Sequence, residues 1–258
     1  MRDPGLNEAL RAVGGVSELA RKIGISQPSI SNWTRVPADR VRAVESATGV
    51  NRTILRPDLY QDATRAAAVD EVDAARGQEY ALLAALLVRA PDAEFLGRLA
   101  RLRGDASPLG VAHAALAEAA LQTTADKVQR EYFDLFIGLG RGELMPYGSY
   151  YLTGFLHERP LQRLRQDLDE LGIKRSDGNI EPEDHAAILC EVMAGLAGGQ
   201  FAAPAGSDRR MFERHLKPWI GRFFADLERA EGAEFYARVG TVGRLFIDIE
   251  TDAFALPD

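Results

Sequence analysis

The chain has 258 residues and a formal net charge of −7, long enough for a small domain beside an ordinary one and of the wrong sign for a free-standing nucleic-acid binder. The charge is uneven: residues 1–65 carry ten Lys or Arg against seven Asp or Glu, a net of +3, while the remainder carries 21 against 31, a net of −10. A mildly basic head therefore precedes an acidic body, which is better matched to a cationic peptide or protein than to phosphate.

Residues 5–55 contain short segments of helical periodicity, punctuated by Gly14, Gly15, Gly24, Pro37 and Gly49. Within them, VSELARKIGISQPSISNWTR has the layout of a helix-turn-helix. Ser17 is expected to cap a first helix whose apolar face is Leu19, Ala20 and Ile23. Gly24 supplies the turn, and Ser26 is expected to cap a second helix from about Gln27 to Thr34. Ile25 and Ile30 fill the space between the helices, and Trp33 is expected to pack on a neighbour. Gln27, Ser29, Asn32 and Arg35 are left pointing outward, residue types that read base edges and grip phosphates.

This segment, continuing through Val36–Tyr60, resembles the Cro/CI group of regulators, particularly its YdaS-like branch. The resemblance implies DNA binding through residues 1–60, with Gln27, Ser29 and Asn32 facing the major groove and Ser31, Arg35 and Arg40 near the backbone. One small module binds weakly, so an operator-specific reader implies a homodimer. The competing reading is a head that keeps the shape but serves as a protein-binding or dimerisation module.

QDATRAAAVDEVDAARG, from Gln61, is rich in Ala and Asp and poor in large apolar residues, which predicts a linker over 61–76. The body, 77–258, is expected to be all-α. Its helices are predicted at about Ala74–Arg89, Asp92–Leu102, Pro108–Ile137, Pro160–Leu171, Pro182–Leu196, Asp208–Ala230 and Ala233–Phe254. Pro108 and Pro160 fall near predicted starts, and Gly104 and Gly172 just past predicted ends. The longest apolar run, Tyr80–Val88, is about half of a bilayer span and reads as a core helix. The start of the chain lacks a charged-then-apolar leader, and the single cysteine, Cys190, fits a reducing compartment, so the expected location is cytoplasmic, with no membrane partner.

From Glu131 the sequence reads EYFDLFIGLGRGELMPYGSYY: a helix with Tyr132, Leu135 and Phe136 on one stripe, then a Gly- and Pro-punctuated loop of tyrosines, which supply broad, stiff contact area. IEPEDH sets Glu181, Pro182, Glu183, Asp184 and His185 at a helix N-terminus, where carboxylates are favoured, with Asp184 and His185 expected to be exposed at a cleft. FERHLKPWIGRFFADLERA is an amphipathic helix with an aromatic core face.

These four features, in this order over roughly residues 78–250, resemble the TorD/DmsD/NarJ group of redox-enzyme maturation chaperones. The resemblance implies an all-helical bundle that holds the twin-arginine signal peptide, or the apo form, of a molybdoenzyme catalytic subunit until its cofactor is inserted; a formate dehydrogenase is one such client. By position it implies a peptide site of Tyr132, Phe136, Leu144, Pro146 and Tyr147 on one side and Pro182, Asp184 and His185 on the other. Acids would meet the arginine pair and the apolar groove the greasy segment. The alternative is a transcriptional regulator that uses the helical body as its sensor.

GLGRGE follows a helix and lacks the Lys-Ser/Thr pair of a phosphate loop. His113, His157, His185 and His215 show no metal spacing with one another or with Cys190. No catalytic constellation is assembled, so neither an enzyme, a metal nor a bound cofactor is expected.

Overall fold

Helix formation starts at Asp3, whose carboxylate accepts from the Gly5 amide at 2.8 Å while Pro4 takes the first helical position. The computed structural model describes residues 2–57, 71–174 and 181–256 and is all-α. It divides into two units, residues 1–69 and 70–258.

In the first unit α1 (Pro4–Val13) and α2 (Val16–Ile23) are followed by α3 (Gln27–Ser31), a 3-10 turn at Ala38–Arg40, α4 (Val41–Thr48) and α5 (Arg52–Leu55). Leu6, Leu19, Ile30, Val41, Val44 and Leu55 form its fully buried core, each such side chain contributing roughly 1.5–3 kcal/mol. Trp33 packs on this core from a half-buried position. Ser17 is not a cap: the chain turns at Gly15, φ 128°, so α2 starts two residues earlier than a Ser17 cap would place it and holds Ser17 within its first turn. Gly24, at φ 72°, makes the αL turn that a side chain would strain. The helix after it is shorter than expected, ending at Ser31, and the Ser26 hydroxyl bonds to that of Ser29 at 2.7 Å instead of capping an amide.

The second unit runs α6 (Glu71–Val88), α7 (Ala93–Leu99), α8 (Pro108–Gln122), α9 (Ala125–Tyr132), α10 (Gly148–Thr153), α11 (Arg159–Glu170), α12 (Ala186–Ala197), α13 (Ser207–Met211), α14 (Ile220–Arg229) and α15 (Phe235–Ala255). Helix α6 packs lengthwise on α12, and α15 lies between α14 and α8. Tyr80, Phe212, Trp219, Phe223, Phe224 and Tyr236 fill the centre. Of the linker expected over 61–76, residues 61–70 lie outside the described residues and 71–76 are the opening turns of α6. Arg76 fixes those turns. Its guanidinium reaches Glu250 (2.8 and 2.9 Å), Asp208 (3.0 Å) and Asp73 (2.6 Å), and the Tyr80 hydroxyl donates to the same Glu250 carboxylate at 3.0 Å.

The helix expected over Pro108–Ile137 breaks at Thr123, because the Thr124 hydroxyl accepts from the Lys127 amide and starts α9 anew. Two stretches widen into single π-turns, Phe133–Ile137 after α9 and Phe212–Leu216 after α13. The second ends before Lys217-Pro218, and it divides the helix expected over Asp208–Ala230. Helix α10 stands where a loop was expected, and α12 starts at Ala186, four residues after Pro182.

Candidate functional site

Pro146 and Tyr147, just before α10, are clamped antiparallel to Asp184–Ala186. The Gly148 amide donates to the Asp184 carbonyl at 2.9 Å and the Ala186 amide to the Pro146 carbonyl at 2.8 Å, around a lone β-bridge between Tyr147 and His185. Gly148 is needed here, since a Cβ would lie 3.0 Å from Trp219 Nε1. The clamp starts two helices at once. Asp184 Oδ2 accepts from the Ser149 amide at 2.7 Å, at the head of α10. His185 Nδ1 accepts from the Ala187 amide at 3.1 Å and caps α12.

Asp184 and His185 are therefore buried, at 3% and 6% exposure, and not open at a cleft as their sequence context predicts. Asp184 is used by an amide 35 residues away, which only the folded chain brings near, and His185 by the amide two residues on. His185 must be neutral to accept at Nδ1; burial pushes its pKa down to about 4, against the opposing pull of Glu181 and Asp184. Asp184 Oδ1, by contrast, has no hydrogen-bond partner among the described residues, and neither does the nearby Ser149 hydroxyl. Asp184 lines a cavity of about 310 Å3 between α10, α11 and α12, together with Gly148, Leu164, Arg163, Arg214 and His215. Arg214 and His215 are held by Asp167, at 3.0 and 2.5 Å.

A separate, half-buried aromatic wall forms where α9 meets α15. The Tyr132 and Phe136 rings lie 5.0 Å apart and both meet Tyr236, at 5.8 and 5.4 Å. Tyr147 lies edge-on to His185 at 5.1 Å and donates its hydroxyl to Glu181 at 2.6 Å. Burial and then the Glu181 charge push the Tyr132 phenol up to about 12, and burial, then the hydrogen bond to Glu181, raise that of Tyr147. These effects tie the Tyr132 and Tyr147 neighbourhoods together through Glu181. Leu144 packs half-buried on the core and its amide donates to Leu135 at 2.8 Å, Pro146 is buried in the clamp, and half-buried Pro182 accepts from the His185 amide at 3.0 Å. Of the eight expected residues, Pro146, Tyr147, Asp184 and His185 lie in the clamp, Leu144 and Pro182 precede its two segments, and Tyr132 and Phe136 belong to the aromatic wall. Around them Ile137, Leu139, Leu152 and Phe155 are exposed, Leu139 at 98%.

Sequence reasoning missed three participants. Tyr236 joins the wall from a hundred residues away, and nothing local marks it. Glu131 accepts from the amides of Glu234, Phe235 and Tyr236 at 2.6–3.2 Å, capping α15 and holding Tyr236 beside Tyr132. Glu181 reads in the sequence as part of a helix terminus, but it lies five residues before Ala186, the first residue of α12, and accepts from Tyr147 instead.

In the first unit Gln27, Ser29, Ser31, Asn32, Arg35 and Arg40 are all exposed. The first four are on or just past α3, Arg35 follows in the turn, and Arg40 lies 3.1 Å from the Asp39 carboxylate at the 3-10 turn. Among the described residues no His, Cys, Asp and Glu group could hold a metal, and no helix is long and apolar enough to cross a membrane.

Fold and site define a two-part all-helical protein: a helix-turn-helix head and a bundle that carries an aromatic cluster and, at the clamp, a buried acid. Residues 103–225 match the family model described as nitrate reductase delta subunit, and residues 6–64 the one described as bacterial toxin YdaS. Over these ranges the body is similar to the TorD/NarJ family and the head to Cro/CI-like helix-turn-helix domains. The chain is similar to the chaperone protein TorD of Vibrio cholerae, 27% identical over 139 residues (50% of this chain, 61% of the relative). It is 30% identical to TorD of Ferrimonas balearica over 134 residues, again 50% and 61%. The chain thus spans about three fifths of the length of these curated relatives. An Archaeoglobus fulgidus chain, solved as a redox enzyme maturation protein, is 20% identical with a TM-score of 0.46, covering 67% of this chain and 93% of that one.

Proposed function

We propose that the body is a chaperone, not a catalyst, which in the cytoplasm holds the twin-arginine leader or apo form of a molybdenum-containing oxidoreductase while its cofactor is inserted. The observation that carries this reading is the buried Asp184 carboxylate with one oxygen unpartnered at the edge of a cavity. A buried charge left half-satisfied is costly until a cation meets it. A guanidinium is planar and two-pronged, which fits a carboxylate better than an ammonium does. The half-buried rings of Tyr132, Phe136 and Tyr147, with exposed Leu139 and Phe155 nearby, suit the apolar stretch that follows such an arginine pair.

Calorimetry with a synthetic leader peptide tests this. Asp184→Asn retains an oxygen for the Ser149 amide but removes the charge, and is expected to weaken binding about tenfold, as is Tyr132→Ala; a Lys-Lys leader is expected to bind more weakly than Arg-Arg. Unchanged affinity in both variants, with helix content intact, would remove these residues from the site.

The head is proposed to bind DNA through α3, with Gln27, Ser29 and Asn32 at base edges and Ser31, Arg35 and Arg40 at phosphates. Their shared exposure supports this. Gel-shift titration is expected to show sequence-selective, salt-sensitive binding, and Asn32→Ala to cost roughly 1–3 kcal/mol of discrimination. Binding that ignores both salt and sequence would instead make the head a protein-interaction module. Should saturating leader peptide change DNA affinity, the same factor must appear in leader affinity when DNA is bound, and the protein would then act as a regulator with a sensing body.

A further inference from the structure

The body has a second concave surface, apolar along its floor and basic at its rim. Along α6, Ala81, Leu82, Ala85 and Val88 recur at one-turn spacing and, with Pro91 and Phe95 across the turn into α7, line an open groove of about 530 Å3. Its floor is apolar and partly made of alanines, which let a second helix approach closely. Its rim is basic. Arg89 and Arg98 line the groove and are exposed, and Arg98 lies over the Phe95 ring at 5.1 Å. Arg101 and Arg103 follow, also exposed, so residues 89–103 carry four arginines against Asp92 and Glu94, a net of +2 within a body of net −10. The Asp92 carboxylate is already engaged, accepting from the Phe95 amide at 2.8 Å to cap α7.

We propose that this groove docks an acidic amphipathic helix of another protein. Leucine-type side chains at helical spacing would cover Ala81, Ala85 and Val88. Carboxylates on the flank of that helix would meet Arg89 and Arg98, whose planar forks suit them. A basic leader is repelled by this rim, so the groove takes a different partner from the leader site proposed around Asp184.

The probe is a fluorescein-labelled helical peptide of about 18 residues with leucines on one stripe and glutamates beside it, titrated into the full chain by anisotropy, against a twin carrying lysines. The glutamate peptide is expected to bind, more weakly as salt rises, and the lysine twin not to. Ala85→Trp fills the groove and is expected to reduce binding at least about tenfold. The Arg89→Glu, Arg98→Glu double variant is expected to lose the glutamate peptide and gain the lysine twin. Both variants are expected to keep wild-type helix content and leader-peptide affinity, which separates this surface from the proposed chaperone site. Equal binding of the two peptides, or binding untouched by Ala85→Trp, overturns the proposal. So does sedimentation showing a dimer of this chain that Ala85→Trp dissolves, which would make a second copy the occupant.

Discussion

His185 shows how one side chain can make the clamp sensitive to acid. Its Nδ1 accepts from the Ala187 amide, an arrangement that protonation destroys. The folded-state pKa is depressed from the ordinary 6.5 to about 4 by burial, so between those values the unfolded chain binds the extra proton and the folded one does not. The stabilisation is fully present above about pH 6.5 and is lost as the pH falls toward 4, amounting to roughly 3 kcal/mol. Asparagine supplies a capping oxygen without titrating. Urea unfolding of His185→Asn across this window is expected to show a shallower fall in stability than wild type. Parallel curves would mean that the histidine does not titrate as the geometry implies.

At the scale of elements, helices are tied to one another by carboxylates placed where amides or guanidinium groups converge. Glu131 caps α15 from α9, Asp184 caps α10 from the segment before α12, and Glu250 on α15 receives both Arg76 and Tyr80 of α6. Glu250 is 1% exposed, so removing its cation leaves a buried charge uncompensated. Arg76→Met is expected to cost roughly 3–5 kcal/mol, read by chemical denaturation, whereas Arg76→Met with Glu250→Gln is expected to recover much of it. A loss below about 1 kcal/mol for the single variant would reduce the network to a surface pair.

At the scale of the whole molecule, the head and the body each bury a core of their own: Leu6, Leu19 and Ile30 in one, Tyr80, Trp219 and Phe224 in the other. Two cores without shared residues are expected to unfold as two calorimetric transitions. Gly24→Ala places a side chain at φ 72° and is expected to destabilise the head by about 1 kcal/mol, lowering one transition and leaving the other in place. A single transition shifted as a whole would mean that the units unfold cooperatively.

The sequence by itself determined the helical class, the change from a basic head to an acidic body, the turn at Gly24 and the outward residues of α3. Each of these is written in short-range periodicity, in glycine's access to positive φ, or in charge counts. It also marked Tyr132, Phe136, Tyr147, Asp184 and His185 as belonging together, through motifs rather than contacts. Only the tertiary structure decided that Asp184 caps a distant helix, that Arg76 anchors α6 on Glu250, and that Tyr236 completes the aromatic wall. Those outcomes depend on which amide, carboxylate or ring arrives from 35 to 174 residues away, and separation of that length leaves no trace in local pattern.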